Sequence, residues 1–331
     1  MLIKRKRGWE IKESEITPER YFLDRRSAIF GLAGAAAVAA TGGIGRTALA
    51  QAKNAPQTSG LVAPELYPAK RNEAYQAGRE LTEEKVATNY NNFYEFGTNK
   101  YIADSAQKLT IKPWRIQIDG MVEKPIEIDA EELIRKMPVE ERIYRFRCVE
   151  AWAMTVPWSG FQLSELVKFA KPAGDPKYLR MQTFVRSDEA RGQRQDWYPW
   201  PYTEGLSMAE AMNEMAFMVT GAYGKPLPKQ MGAPIRLATP WKYGFKSVKS
   251  IVRFSFTNER PRTFWEGLAP DEYGFWANVN PAVAHPRWSQ ATEEIIGTGK
   301  RIPSVIYNGY GEQVAALYKD IEGGTGRKLF M

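Results

Sequence analysis

Cys148 is the only cysteine among 331 residues and His285 the only histidine. One thiol excludes an internal disulfide framework and any zinc or iron–sulfur centre built on several cysteines. One imidazole excludes a multi-histidine metal site. A redox metal in this chain would draw most of its ligands from a cofactor. Cys148 lies in Tyr144-Arg145-Phe146-Arg147-Cys148-Val149-Glu150-Ala151-Trp152. From these residues alone three roles stay open for it: an inert buried side chain, a metal ligand or a reactive thiol. Arg145 and Arg147 would favour the thiolate, but strand alternation turns them to the opposite face. Glu150 falls on the cysteine's face if the strand continues, and reads either as a proton carrier beside the site or as an ion-pair partner. His285, between Ala284 and Pro286, reads as structural or surface, with no second His or Cys to join it.

Trp241, Tyr243, Phe245 and Trp276 suit a core. Lys242 and Lys246, placed among them with Gly244, suggest instead a loop near an anionic group.

The elements that would position these residues are mostly strands. Trp114-Arg115-Ile116-Gln117-Ile118-Asp119-Gly120 alternates and ends in Asp-Gly, a strand and turn, with Ile126 and Ile128 as the partner strand. Asp129 and Glu132 look like an N-cap and its acid three residues on, opening a short helix that Pro138 closes. Residues 143–149 alternate and lead to Cys148. Leu163, Leu166, Val167 and Ala170 predict a helix over 161–170, and Ala74, Ala77, Leu81, Lys85 and Thr88 predict another over 72–88. Residues 89–97, rich in Asn and aromatics without a period, read as an unusually apolar loop. Residues 178–185, 216–220, 235–238 and 248–257 read as further strands, and none is expected after 257. Strands with short interspersed helices and no βαβ rhythm give an α+β fold with mixed sheets, in one domain over 51–331.

The first fifty residues read as an export signal. Basic residues from Lys4 to Arg26 precede an Ala/Gly-rich apolar run, Ala28 to Ala40, which at 13 residues is too short to span a bilayer. Ala48-Leu49-Ala50 follows as a cleavage site, and Arg25-Arg26 matches the twin-arginine route, which carries folded proteins. The segment holds nine basic and five acidic residues, so its removal takes the net charge from +8 to about +4. No run of five basic residues remains after the cut, so nucleic acid is not an expected partner. At 44% hydrophobic and 25% charged residues, global disorder is excluded.

Cys148 at a strand end, followed by Trp152 and then by Val156-Pro157-Trp158-Ser159-Gly160-Phe161 and a helix, is similar to the molybdenum-cofactor domain of the sulfite oxidase family. The closer resemblance is to the catalytic subunits of periplasmic protein-methionine-sulfoxide reductases. It is carried by Asn91-Asn92-Phe93-Tyr94-Glu95-Phe96-Gly97, Arg147-Cys148-Val149-Glu150-Ala151-Trp152, Pro240-Trp241-Lys242-Tyr243-Gly244-Phe245-Lys246 and Asp271-Glu272-Tyr273-Gly274-Phe275. Asn278-Val279-Asn280-Pro281, residues 285–293 and Asn308-Gly309-Tyr310 continue it.

The resemblance implies a sulfite-oxidase-type molybdopterin-binding fold. It implies one molybdenum per chain, held by a single pyranopterin dithiolene and by Cys148. A soft thiolate suits a metal already bound by soft sulfurs. It carries over cofactor contacts to Asn91, Tyr94, Glu95, Thr183, Arg236, Ser247, Val248 and Lys249. Met231 stands where the family has Asn, which removes a side-chain hydrogen bond but leaves the backbone. Arg236 and Lys249 suit the cofactor's phosphate. The implied activity is reduction of methionine sulfoxide in periplasmic proteins by oxygen-atom transfer to reduced molybdenum. Electrons would come from a haem-containing, quinol-oxidising membrane subunit. The alternatives are a sulfite-oxidising enzyme, whose branch usually adds a haem or a C-terminal immunoglobulin-like domain, and an exported metal-binding protein without catalysis.

Overall fold

The computed structural model describes residues 62–319, 321 and 326–331. The export signal, the Ala50 cleavage site and the twin arginines fall outside them.

Two mixed sheets organise the chain. The strands are β1 (Arg115–Gly120), β2 (Ile126–Asp129), β3 (Glu140–Arg147), β4 (Trp152–Gln162), β5 (Tyr178–Thr183), β6 (Thr203–Ser207), β7 (Phe217–Ala222), β8 (Lys225–Pro226), β9 (Arg236–Ala238), β10 (Ile251–Thr257), β11 (Thr292–Ile295) and β12 (Lys300–Pro303). One sheet runs β2-β1-β10-β5-β6, with only β1 and β10 parallel. The other runs β12-β11-β4-β7-β8, with β3 paired to β4 and β9 to β7; only β11 and β4 are parallel.

Local sequence explains much of this. In β1, Ile116 and Ile118 are buried and pair with Ile128 and Ile126, which fixes the register because a one-residue slip would turn both isoleucines to water. The helix Leu163–Ala170 buries Leu163, Leu166, Val167 and Ala170 on one stripe. Each large aliphatic side chain there contributes about 1.5–3 kcal/mol by burial. The helix Ala130–Arg135 is capped by Asp129, whose carboxylate accepts from Glu131 N rather than joining Glu132 in a reciprocal box.

Three expectations are corrected. The region 72–88 is helical only over Glu84–Asn89. Its first part follows β3, with Asn72 N donating to Glu141 O, and Gly78 takes a φ of +61° that a helix cannot hold. The helix near 161–170 starts at Leu163, because Phe161 and Gln162 still belong to β4. Strands also follow 257: β11 and β12 form a hairpin whose first strand joins the edge of β4. They extend the central sheet and belong to no separate sandwich.

β4 is buried along ten of its eleven residues and is flanked by β3, β7 and β11. At Gly160 the backbone of β7 comes so close that an added Cβ would overlap Met218 O. Among the described residues no helix is long and apolar enough to cross a membrane.

Candidate active site

Cys148 sits at the tip of the β3–β4 hairpin. Cys148 N donates to Trp152 O at 2.9 Å and Ala151 N to Cys148 O at 3.1 Å, with Ala151 at φ +63°. This tight turn lets β4 return antiparallel while the Cys148 side chain faces a cleft.

The turn is braced from both sides. Arg147, fully buried, donates from Nε to Glu293 Oε2 at 2.8 Å and from Nη2 to Gln290 Oε1 at 2.7 Å, and its Nη1 reaches Cys148 O. Trp288 Nε1 and Gln290 Nε2 both donate to Val149 O at 2.7 Å. Arg147 therefore points away from the thiol, as alternation predicts, and acts on the cysteine through its backbone.

The cleft is lined by Cys148 together with Asn91, Tyr94, Glu95, Met231, Arg236, Ser247, Val248 and Lys249. Ten cofactor and metal positions come from the sequence, and nine of them line this one cleft. Thr183 stands apart: it is buried at the end of β5 with its hydroxyl donating to Ser250 O at 3.1 Å, and it is not among the lining residues.

The inner end of the cleft is cationic. Arg236 is buried and donates to Met231 O at 2.9 Å and Ser247 O at 3.2 Å, with no carboxylate salt bridge. Burial pushes its pKa down to about 10. Burial, and then the nearby Arg236 charge, lower Lys249, while burial raises the neighbouring Glu95. Met231 takes part through its carbonyl, so its thioether side chain costs the site no hydrogen bond it uses here. Close by, Gly192 N donates to Glu95 O at 2.7 Å, and a Cβ on Gly192 would overlap Tyr94 O, so the 91–95 loop is seated on a glycine.

At the thiol the environment is anionic. Cys148 Sγ lies 3.7 Å from Glu150 Oε2. Burial and then the Glu150 charge push the thiol up to about 12. Glu150 accepts from Asn92 Nδ2 at 3.0 Å, from Trp152 Nε1 at 3.1 Å and from Lys100 Nζ. Burial would raise its pKa, but these donors outweigh it and the carboxyl is lowered. Glu150 is thus an ion-pair partner in this structure. Lys100 and Asn92 were not singled out in the sequence; the Asn91-Asn92 doublet carried the signal for one, and nothing local marked the other.

Lys242 and Lys246 do not face the cleft's anion site. Both are buried, Lys242 against Glu210 at 2.5 Å and Lys246 against Glu204 at 2.5 Å. The anionic groups implied by these lysines are carboxylates 32 and 42 residues upstream. Trp241 and Tyr243 are core side chains, whereas Phe245 lines the cleft. His285 is structural: it stacks on Trp288 at 3.8 Å between ring centres.

The donor set fits a molybdopterin. A metal at Cys148 gains one soft thiolate, and a bound metal would deprotonate the thiol that burial otherwise keeps neutral. Among the described residues no three His, Cys, Asp or Glu side chains gather as a metal site, so further ligands would come from the cofactor. Arg236 and Lys249, two cations without a salt bridge, match a phosphate at the other end.

A family comparison agrees. Residues 103–265 match the family described as oxidoreductase molybdopterin binding domain. That stretch includes Cys148, Met231, Arg236 and residues 247–249, whereas Asn91, Tyr94 and Glu95 precede it. Among solved structures, the sulfane dehydrogenase SoxCD from Paracoccus pantotrophus is similar at 19% identity and a TM-score of 0.42, over 68% of this chain and 58% of that one. Residues 103–265 thus carry a molybdopterin-binding oxidoreductase domain, in a mixed α+β fold of the sulfite oxidase type.

Proposed function

We propose that this oxidoreductase reduces methionine sulfoxide residues in exported proteins. The observation that carries the reading is the aromatic approach beside Cys148, in which the charged groups are paired. Tyr90, Tyr94, Trp152, Trp265, Tyr273 and Trp288 wall it on one side, where the two cations, Lys100 and Arg287, are ion-paired with Glu150 and Glu272. A sulfite dianion needs cations free to receive it, and Glu150 would repel it. A sulfoxide side chain is neutral, and its methyl and methylene groups suit aromatic faces.

When bound, the molybdenum cofactor supplies the two-electron oxygen-transfer chemistry. The chain's own residues do the rest. Cys148 ligates, and its hairpin turn fixes the direction of the thiolate. Arg236 and Lys249 would hold the cofactor's phosphate, and Asn91, Tyr94, Glu95, Ser247 and Val248 would contact the rest of it. The Lys100–Glu150–Asn92 cluster keeps a charged, hydrogen-bonded rim beside Cys148.

The reading includes export by the twin-arginine route to the periplasm and electron supply from a haem-containing membrane subunit fed by quinol. The order of basic residues, apolar run and Ala-Leu-Ala supports the first. The second rests on resemblance.

The test is turnover of the cofactor-loaded enzyme with a reduced viologen as donor. Methionine sulfoxide should oxidise the dye, and Cys148→Ala should abolish turnover. Sulfite-dependent reduction of cytochrome c without sulfoxide turnover would establish the sulfite-oxidising alternative instead.

A further inference from the structure

The cleft above Cys148 opens in two directions. One arm runs past Trp265 to Trp288 and Arg287; the other runs past Val86 and Tyr101 to Arg301. The arms share Tyr90, Glu150 and Trp152, which also line the cleft at Cys148, so both arms adjoin the thiol's surroundings. The arms have volumes of about 440 and 430 Å³ and open to solvent, more than a single methionine sulfoxide side chain fills.

Tyr101 is the conspicuous member. It is 77% exposed, the most exposed large hydrophobic side chain among the described residues, although it stands on the rim of a pocket. Its ring meets Tyr90 edge-on at 6.2 Å, and Tyr90 meets Trp152 edge-on at 5.1 Å. Its backbone is fixed by an Asn99 Oδ1 acceptor at 2.8 Å and by the neighbouring Lys100, which reaches Glu150. The aromatic face is therefore presented to solvent from a held position, two ring contacts from Trp152. Exposed aromatics that are rigid and adjoin a site are contact residues for a partner.

We propose that the Tyr101 arm is a subsite for polypeptide flanking the oxidised methionine, so that the enzyme selects an extended peptide over free methionine sulfoxide. This rests on the reductase reading above. An extended chain advances about 3.3 Å per residue and places alternate side chains on one face. A substrate crossing from the Trp288 arm to the Tyr101 arm would lay its sulfoxide between them. Tyr101 then receives an apolar side chain on the flank, with Val86 beside it.

The experiment compares free methionine sulfoxide with five- and nine-residue peptides carrying one central methionine sulfoxide, in wild type, Tyr101→Ala and Trp197→Ala. Trp197 is a second exposed aromatic, at 64%, outside both arms. In the wild type kcat/KM should rise with length. Tyr101→Ala should lower kcat/KM on the nine-residue peptide about tenfold, through KM, and leave free methionine sulfoxide and molybdenum content unchanged. Binding of the unreactive methionine-sulfone peptide, followed by calorimetry, should weaken by the same factor. Trp197→Ala should do neither. A wild-type rate independent of length, or a Tyr101→Ala loss shared equally by free methionine sulfoxide, overturns the subsite. If free methionine sulfoxide and the peptides are all inert with the loaded wild type, the reductase reading itself fails.

Discussion

Removing the Glu293 carboxylate should cost far more than removing a surface acid, and the loss should be felt at Cys148. Glu293 is fully buried. It accepts from Arg147 Nε at 2.8 Å, Arg79 Nη1 at 2.5 Å and Ser304 Oγ at 3.1 Å. Glu293→Ala leaves Arg147, itself fully buried, without a carboxylate. Truncating one partner of such a pair costs about 3–5 kcal/mol. The control is Glu165→Ala, whose partner Lys168 is 63% exposed; it should cost less than about 0.5 kcal/mol. Urea unfolding of both variants in the cofactor-free protein, followed by tryptophan fluorescence, measures the difference. Because Arg147 also holds Cys148 O, Glu293→Ala should speed modification of Cys148 by a bulky disulfide reagent under native conditions. A loss below about 1 kcal/mol, or unchanged thiol kinetics, would refute the claim that this pair braces the ligand turn.

Gly192→Ala drives a Cβ into Tyr94 O and should displace the 91–95 loop at a cost of about 1–3 kcal/mol, with molybdenum and pterin per chain falling more than the fraction folded. Arg236→Met should lower cofactor affinity about tenfold, Arg236→Lys recovering part of it, as read by molybdenum retained after dialysis. His285 has its pKa lowered, chiefly by burial. The unfolded chain therefore binds more protons than the folded one as pH falls through the ordinary histidine range, and stability should drop there. His285→Gln should flatten that slope in thermal unfolding between pH 7.5 and 5.5; an identical slope in both proteins would contradict it.

The candidate site was legible where the signal was local. Alternation through residues 143–149 placed Cys148 at a strand end and turned Arg147 away from it. The Ile116/Ile118 and Ile126/Ile128 pattern gave the β1–β2 pairing. What escaped was non-local. β4 is buried on both faces, so its run of apolar residues has no period to read, and Pro157 argues against a strand. Lys242 and Lys246 reveal nothing of their partners, because Glu210 and Glu204 arrive from other elements. Lys100 meets Glu150 across fifty residues. The Gly78 turn hid inside apolar spacing that otherwise suits a helix.

The braces on the ligand turn have a bearing on the order of events in synthesis. A ribosome that has reached residue 265 has made Cys148, Arg236 and Lys249. It has not made Trp288 and Gln290, which hold Val149 O, or Glu293 and Ser304, which hold Arg147. β11, which pairs beside Trp152, is also still to come. The cysteine exists early, but its orientation is set only when a segment made much later folds back on it. The aim of the Cys148 side chain is therefore a property of the chain through residue 304, and a truncation before Trp288 leaves the turn without these braces.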